Sequence, residues 1–549
     1  MVDHAGASPA RVLLLAADAC DAEVAAGFAE AGTMPVLAGL QERAAVVDTI
    51  APRGLFVGAV WPTIMTGLDA DRHRYYTWLA LDEDGYGTHQ TTPLVMQGEP
   101  FWTALDAAGR RCAVFDVPHS LADRTPDGFG GAVVSEWGCH DRHVGPASHP
   151  PELLAELEAV AGGSHFGAGA TPGFDQHAPC DYLHRSQRHR SPDEVAALVD
   201  ELRLGHARKR EASLALLDRA GWDLFVSVFG ETHCTGHQLW AQHDRDHPRH
   251  DAALRRRLGD PLEAMYRDVD ETIGLHLRRA GDDAVAFVLL SHGMGPHHDG
   301  THLLDHLLLR IEQADAGRLD TGWRTRLVGG VVDRAPDAVQ DRVGAWAAPW
   351  LRRRLAAAPP EPADPPADAE GMLPIDRSRR SWFSIPNNTV TGAIRINVAG
   401  REPAGVVDPA EYDRACELIS RRLREVVDVD TGRPLVTDVV RVDRAMRRRD
   451  GDGLPDLLVE WDHATLVERV WSPHLGTVVA PYEHWRTGDH HRRGRLFVVG
   501  PGIAAGRRRG PRSLAHLAPT LAAALGVRLA DVDGRPQQDL LPERVLVPV

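Results

Sequence analysis

The chain has 549 residues, of which 61 are basic and 77 acidic, giving a formal net charge of −16; 43% of its residues are hydrophobic. A chain of this length buries a large core and suits one large α/β domain with insertions, or two domains. The acidic balance argues against a nucleic acid or an anionic membrane as the main partner. A small anionic substrate is compatible with it, because a bound metal ion can override the global charge locally. Assembly into a homo-oligomer stays open.

The N-terminus and the cysteines favour a cytoplasmic protein. No basic start is followed by a long apolar run, and no window reaches the roughly 18 to 20 continuous apolar residues that cross a bilayer. The six cysteines include no CxxC pair, which is typical of reduced thiols in a cytosolic protein. Lys209 is the only lysine, and every other basic residue is arginine. We attribute this preference for arginine to a GC-rich genome rather than to phosphate binding.

Apolar runs and helical periodicities alternate along the chain. Short apolar runs predict buried parallel strands at 11–17, 112–115, 222–229, 284–290 and 495–499. Periodic segments with a proline near the start predict helices at 151–161, 192–217, 261–279 and 409–427. This alternation predicts an α/β fold with a doubly wound, mostly parallel central sheet flanked by helices, with insertions and a smaller α/β portion.

The domain organisation is predicted from a composition shift. Residues 355–372 are rich in proline, alanine and acidic side chains, which indicates a linker or exposed insertion. We assign 1–310 to the first part of the core, 311–454 to an insertion or cap region that includes this linker and a small α/β portion, and 455–549 to the return to the core.

Polar residues directly follow three of the predicted strands. Asp18 follows the first strand, Glu231, His233 and His237 follow the third, and Ser291 and His292 follow the fourth. Ligands of open parallel sheets bind at the carboxyl ends of the strands, so we expect these residues to meet in one crevice.

Histidine spacing indicates a metal site in that crevice. His233 and His237 are four positions apart, which places both imidazoles on one face of a helix. The alternative is a pair of solvated polar residues, which we disfavour because a buried strand immediately precedes them. His490 and His491 lie just before the last predicted strand, and we expect one of them to bind the metal.

Taken in order, several motifs resemble the type I phosphodiesterase/nucleotide pyrophosphatase branch of the alkaline phosphatase superfamily. They are a strand ending in aspartate (LAADACD), a loop closing in TG (WPTIMTGLDADRH), HCTGHQLW, SHGM, and a late GxHxxxG that leads into a strand and GPGI. The segment LAHLAPTLAAALGV is similar to the last helix of that superfamily. The resemblance spans most of residues 11–527.

The resemblance implies two metal positions. His237 and His490 would bind the first ion, with His233 where the family usually has aspartate, and Asp18 and His292 would bind the second. A site so rich in nitrogen donors favours Zn²⁺, with Fe or Mn as alternatives, over Mg²⁺. We therefore expect one or two divalent metal ions as cofactors.

Two departures from the family pattern leave the mechanism open. Ser291 stands where the family has aspartate, and the position of the usual nucleophile falls at Val57, which cannot attack a substrate. Thr63 could replace it, or a water molecule activated by the metal could, or the ancestral reaction could be lost. A single-metal site of His233, His237 and His490, with Glu231 as general base or extra ligand, is a further alternative.

The remaining candidates concern catalysis and the substrate. Thr63, Glu231 and Ser291 are the candidate catalytic residues. Arginine and asparagine bind anions and hydroxyl groups well, and the candidate substrate-binding residues are Arg72, Asn387, Asn388 and Arg395, although Arg395 could instead face solvent.

The sequence therefore predicts a metal-dependent hydrolase or group-transfer enzyme that acts on a phosphoester of a small molecule. A transferase or lyase with a single metal and no protein nucleophile is the first alternative. An inactive binding protein that retains the pocket is the second.

Overall fold

The computed structural model describes residues 11–82, 86–138, 143–164, 191–219, 221–332, 373–387, 390–447, 453–482, 484 and 486–542. The chain divides into two compact units. The first unit comprises residues 1–76, 92–296 and 485–549, and the second comprises 77–91 and 297–484.

The first unit contains a nine-stranded sheet and a two-stranded ribbon. Its strands are β1 (Val12–Ala17), β2 (Ala45–Ile50), β5 (Cys112–Phe115), β6 (Ala132–Ser135), β7 (Ala147–His149), β8 (Leu224–Phe229), β9 (Val285–Leu290), β10 (Gly293–Pro296), β18 (Gly488–His491), β19 (Arg493–Val499) and β20 (Gly506–Ser513). The strand order of the sheet is β20-β2-β19-β9-β1-β8-β5-β6-β7, and β10 pairs with β18 in the ribbon. The predicted α/β class with a mostly parallel central sheet is confirmed.

The centre of the sheet is parallel, and its strand ends are aligned. Strand β1 pairs with β8 and β9 in parallel, and Ala17 lies in register with both Phe229 and Leu290. Every residue of these three strands is buried, which is why they consist almost entirely of apolar side chains. The residues that follow the three strands therefore emerge at one edge of the sheet.

Strand β19, which we predicted to be parallel, runs antiparallel to both of its neighbours, β9 and β2. The reason lies in the preceding ribbon. Strand β10 follows the carboxyl end of β9, and β18 pairs with β10, so the chain enters β19 at the edge where the central strands end. From that edge, β19 can only run back through the sheet in the opposite direction.

Helices pack against this sheet, and their ends carry the expected capping residues. Ser191 and Glu194 form a reciprocal capping box at the start of the helix Pro192–Leu217. The carboxylate of Asp260 caps the helix Pro261–Ala280. The other helices of this unit are Ala22–Glu30, Pro35–Arg43, Phe56–Thr66, Ala70–His73, Phe101–Ala107, Leu153–Ala161, Glu231–His243, Ala252–Leu258 and Leu517–Ala524.

The second unit has its own apolar core, built on a four-stranded antiparallel sheet in the order β11-β12-β15-β14. Its strands are β3 (Leu79–Leu81), β4 (Thr88–Gln90), β11 (Trp382–Ile385), β12 (Thr391–Ile396), β13 (Val427–Asp428), β14 (Val436–Arg441), β15 (Leu457–Trp461), β16 (Arg469–Ser472) and β17 (Gly476–Val479). Its helices are Thr301–Asp315, Gly322–Val332, Tyr412–Arg424 and Val442–Ala445.

The predicted domain boundaries at residues 310 and 455 both fall inside the second unit. The assignment of core, insertion and returning core stays a prediction, and the predicted linker at 355–372 lies outside the described residues. Within the part of the chain that the structure describes, no helix is both long and apolar enough to span a bilayer.

Candidate metal centre

Three histidines of the first unit converge on one point. His233 and His237 lie on the helix Glu231–His243, which begins where β8 ends, and His490 lies on β18. His233 Nε2 is 3.0 Å from His237 Nε2 and 3.0 Å from His490 Nε2. One nitrogen from each residue lies within 4.8 Å of the others, an arrangement that can hold a metal ion.

The orientation of His237 is fixed by its backbone neighbours. Its Nδ1 lies 2.7 Å from the carbonyl oxygen of Gly488. A carbonyl can only accept, so Nδ1 carries the proton and the lone pair of Nε2 points to the other histidines. The Thr487 amide also donates to the His237 carbonyl at 2.7 Å, which ties the helix to the residues just before β18.

Close backbone packing makes this contact possible. A Cβ atom on Gly488 would lie 2.4 Å from the carbonyl oxygen of Gly236, and one on Gly236 would lie 2.8 Å from Met294 Cε. The Gly488 contact is with backbone, which cannot easily move aside, and a Cβ on Gly236 would have to displace the Met294 side chain, so glycine at both positions allows the helix and the ribbon to approach.

Burial keeps His237 and His490 neutral. It lowers the pKa of His237 and of His490 well below the usual value, and the positive charge of Arg486 acts in the same direction on both. The pKa of His292 is also lowered by burial. Neutral imidazoles offer lone pairs, which is the state a metal ligand requires.

Asp18, Ser291 and His292 form a buried network beside the cluster. Ser291 Oγ donates to Asp18 Oδ1 at 3.0 Å and lies 3.0 Å from His292 Nδ1. Trp61 Nε1 also donates to Asp18 Oδ1, at 2.8 Å. His292 Nε2 lies 3.1 Å from His490 Nδ1, which joins the network to the histidine cluster.

Asp489 is a nearby carboxylate that the sequence reasoning missed. Its Oδ1 lies 3.9 Å from His490 Nε2 and 4.0 Å from His237 Nδ1, and Arg486 NH1 lies 3.5 Å from its Oδ2. The only signal in the sequence was its position next to His490. A buried carboxylate here would offset part of the charge of a bound cation, and Arg486 places a positive charge near any anionic substrate.

The candidate base Glu231 forms a salt bridge with a buried lysine, Lys209. Its Oε1 lies 3.1 Å from Lys209 Nζ, which is also 2.8 Å from Asp116 Oδ2. Although burial opposes the charge, the two carboxylates raise the pKa of Lys209, which therefore stays protonated. The structure thus groups Glu231 with a buried ion pair rather than with the three histidines.

The candidate nucleophile Thr63 is grouped with His73. Thr63 is fully buried and its Oγ1 lies 3.0 Å from His73 Nε2. The Tyr75 amide donates to His73 Nδ1, so Nε2 carries the proton of the neutral ring and donates it to Thr63. Burial lowers the pKa of His73 to about 3. His73 in this tautomer cannot accept a proton from Thr63.

The candidate substrate-binding side chains are paired within the protein. Arg72 forms salt bridges with Asp531 at 2.9 Å and with Asp533 at 3.3 Å. In the second unit, the buried Arg395 donates to Glu402 at 2.7 Å, so it does not face solvent. Asn387 donates to the carbonyl oxygen of Thr391 at 3.1 Å, and Asn388 lies outside the described residues.

His491, the neighbour of His490, belongs to a different contact. Its Nε2 lies 2.7 Å from Asp21 Oδ2. Burial alone would raise the pKa of Asp21, but the hydrogen bond and charge of His491, together with hydrogen bonds from the Val24 and Glu23 amides, lower it. Of the two histidines considered from the sequence, His490 is therefore the one that lies in the cluster.

The sequence matches the family model for Type I phosphodiesterase / nucleotide pyrophosphatase over residues 12–492. The matched segment begins with β1 and includes the whole histidine cluster. A search of curated proteins finds no match for this chain.

Proposed function

The chain belongs to the type I phosphodiesterase/nucleotide pyrophosphatase family, within the alkaline phosphatase superfamily, and from this premise we propose that it is a metal-dependent enzyme that hydrolyses a phosphoester of a small molecule. The proposal rests on the convergence of three buried or half-buried imidazoles, in which His233 Nε2 lies 3.0 Å from both His237 Nε2 and His490 Nε2. Packing alone does not explain such a group, because polar side chains are costly to bury in a hydrophobic core.

The residues that hold the ion are His233, His237 and His490. Three imidazole nitrogens suit Zn²⁺, and also Fe or Mn, better than the oxygen-preferring Mg²⁺. A divalent ion held there would supply Lewis acidity toward a phosphoryl oxygen and toward water.

Water is the nucleophile in this proposal. Val57, at the position expected for the family nucleophile, has no hydroxyl group. Thr63 has one, but it accepts a hydrogen bond from His73, and among the described residues no base contacts it to take its proton. Hydrolysis then forms a bond from the oxygen of water to phosphorus while the bond from phosphorus to the leaving oxygen breaks, and the proton that water gives up ends on that oxygen to make the alcohol.

The charges around the cluster suit an anionic ester. Arg486 lies beside Asp489, and its positive charge contributes to lowering the pKa of His237 and of His490. Guanidinium groups bind phosphate oxygens through charge-assisted hydrogen bonds. The net charge of −16 makes a nucleic acid polymer an unsuitable substrate, so a small phosphodiester or phosphomonoester is the class we favour.

The proposal is tested by metal analysis together with hydrolysis of bis-p-nitrophenyl phosphate. His237→Ala should lose bound metal and at least about 100-fold in kcat/KM, because it removes a ligand whose Nε2 points at the ion. His243→Ala is the matched control, since His243 lies on the same helix but pairs with Asp260 at 2.8 Å. Wild-type protein that binds no metal, or a His237→Ala variant of unchanged activity, would refute the proposal.

A further inference from the structure

A continuous chain of hydrogen bonds leads from the histidine cluster to Asp18. His490 Nδ1 lies 3.1 Å from His292 Nε2, and His292 Nδ1 lies 3.0 Å from Ser291 Oγ. Ser291 Oγ in turn donates to Asp18 Oδ1 at 3.0 Å. Each imidazole in this chain uses both of its nitrogens.

The directions of these bonds follow from one condition. If Nε2 of His490 binds an ion, Nδ1 of the neutral ring must carry the proton and donate it to His292 Nε2. His292 then carries its own proton on Nδ1 and donates to Ser291 Oγ. That oxygen also accepts from the Ala19 amide at 3.1 Å, so its two lone pairs are used and its proton goes to Asp18.

We propose that this chain holds one divalent ion, on His233, His237 and His490, and that Asp18, Ser291 and His292 form a hydrogen-bonded relay that orients His490 in place of a second metal site. This inference rests on the proposed function for the first ion. It departs from the resemblance, which implies a second ion on Asp18 and His292.

The residues at the second position do not fit a metal ion. Ser291 replaces a carboxylate that the family pattern supplies there, and Val57 stands where that pattern has its nucleophile. Of the two groups that remain, His292 uses Nε2 to accept from His490, and Asp18 Oδ1 accepts from Trp61 and Ser291. A divalent ion such as Zn²⁺ takes at least three protein ligands, so a second ion would break the relay and still be under-coordinated.

The relay makes His292 and Ser291 positioning residues. The partner of the outer nitrogen of a metal-binding histidine fixes its tautomer and ring orientation, and loss of that partner typically weakens metal binding by about 10- to 100-fold. Trp61 and the Ala19 amide hold the far end of the relay in place through Asp18 and Ser291.

The number of zinc ions bound per chain tests the inference. It is measured on the full-length protein after loading with Zn²⁺ and dialysis. We expect one zinc per chain in the wild type. His292→Ala should still bind one zinc per chain, with a Kd raised about 10- to 100-fold. Two zinc ions per chain in the wild type, reduced to one by His292→Ala, would overturn it.

Ser291→Ala provides a second variant in case His292→Ala does not fold. It should bind one ion with lower affinity and change the visible absorption spectrum of the Co²⁺-loaded protein, because the orientation of His490 changes. Ser227→Ala removes another fully buried serine hydroxyl, on β8, and should leave that spectrum unchanged. Identical spectra for wild type and Ser291→Ala would contradict the relay.

The two proposals fail in different ways. One bound ion without hydrolysis of bis-p-nitrophenyl phosphate would contradict the proposed function and leave the single-ion site standing. Hydrolysis that depends on two bound ions would contradict the relay and leave the proposed function standing.

Discussion

Lys209 is a residue whose role follows from its surroundings rather than from its type. It is the only lysine among 61 basic residues, it is 1% exposed, and its amine contacts the carboxylates of Asp116 and Glu231. Glu231 opens the helix that carries His233 and His237. The ion pair therefore holds the start of the helix that carries His233 and His237 against the neighbouring parts of the first unit.

Lys209→Met should lower the free energy of unfolding by about 3–5 kcal/mol, because it leaves two buried carboxylates without their cation. Urea denaturation followed by circular dichroism measures the change. Arg210→Ala is the control, since Arg210 forms only a surface pair with Glu211 and should shift stability by less than about 1 kcal/mol. A Lys209→Met protein as stable as the control would show that the pair contributes little.

Substitution of Thr63 distinguishes a water nucleophile from a protein nucleophile. Thr63→Val should keep kcat within about 3-fold of wild type, because the hydroxyl accepts a hydrogen bond from His73 and no base contacts it among the residues that the structure describes. It should lower stability by about 1–3 kcal/mol, because His73 Nε2 loses its partner in a buried site. A loss of activity of about 1,000-fold or more, with metal still bound, would instead assign the nucleophile to Thr63.

At the scale of single residues, the sequence predicts which side chains meet but not what each one does. Asp18, His233, His237, Ser291 and His292 follow buried parallel strands, so their proximity follows from strand direction alone. The pairings of Glu231 with Lys209 and of Thr63 with His73 depend on how separate helices pack, which no local spacing encodes. The same holds for the choice of His490 over His491.

At the scale of elements, the fit between the helix Glu231–His243 and the ribbon of β10 and β18 builds the site. The helix supplies two histidines and the ribbon supplies the third. Gly236 and Gly488 allow the two to approach until the Gly488 carbonyl reaches His237.

Gly488→Ala should push the ribbon away from the helix, because the added Cβ would lie 2.4 Å from the Gly236 carbonyl oxygen and 2.8 Å from Trp240 Cβ. We expect metal affinity to fall at least about 10-fold, as His237 loses its backbone acceptor. Titration with a competing chelator gives the affinity. Gly510→Ala, on β20 with open space around its Cα, is the control and should bind metal like wild type.

The elements also show where the sequence pattern stops being informative. Continuous apolar runs correctly indicate β1, β8 and β9, because strands buried on both faces need apolar side chains throughout. The apolar run that forms β19 has a similar composition, yet β19 is antiparallel to β9. Its direction is set by the ribbon of β10 and β18 that precedes it. Hydropathy reports burial and carries no information on strand direction.

For the whole molecule, buried neutral histidines make stability depend on pH. His276 is fully buried, its Nδ1 donates to the Thr272 carbonyl at 2.8 Å, and Ser213 Oγ lies 3.0 Å from its Nε2. Burial lowers its pKa from 6.5 to about 4. Below pH 6.5 the unfolded chain binds a proton that the folded chain does not, so this contribution is complete above pH 6.5 and is lost as the pH falls towards about 4.

We therefore expect the wild type to lose more stability than His276→Gln between pH 7 and pH 5, by about 2 kcal/mol, at about 1.4 kcal/mol for each pH unit below the unfolded pKa. Urea denaturation of both proteins at the two pH values measures the difference, and groups that titrate in both proteins cancel. An equal loss in the two proteins would show that His276 is not held neutral.

The central claim is that this chain folds to bring His233, His237 and His490 around one divalent ion. A crystal structure of the zinc-loaded protein, with anomalous diffraction recorded at the zinc edge, tests it most directly. We expect a single anomalous peak about 2.0–2.1 Å from the three Nε2 atoms, with His292 hydrogen-bonded to His490. An anomalous peak at any other position, or a second peak between Asp18 and His292, would contradict this expectation.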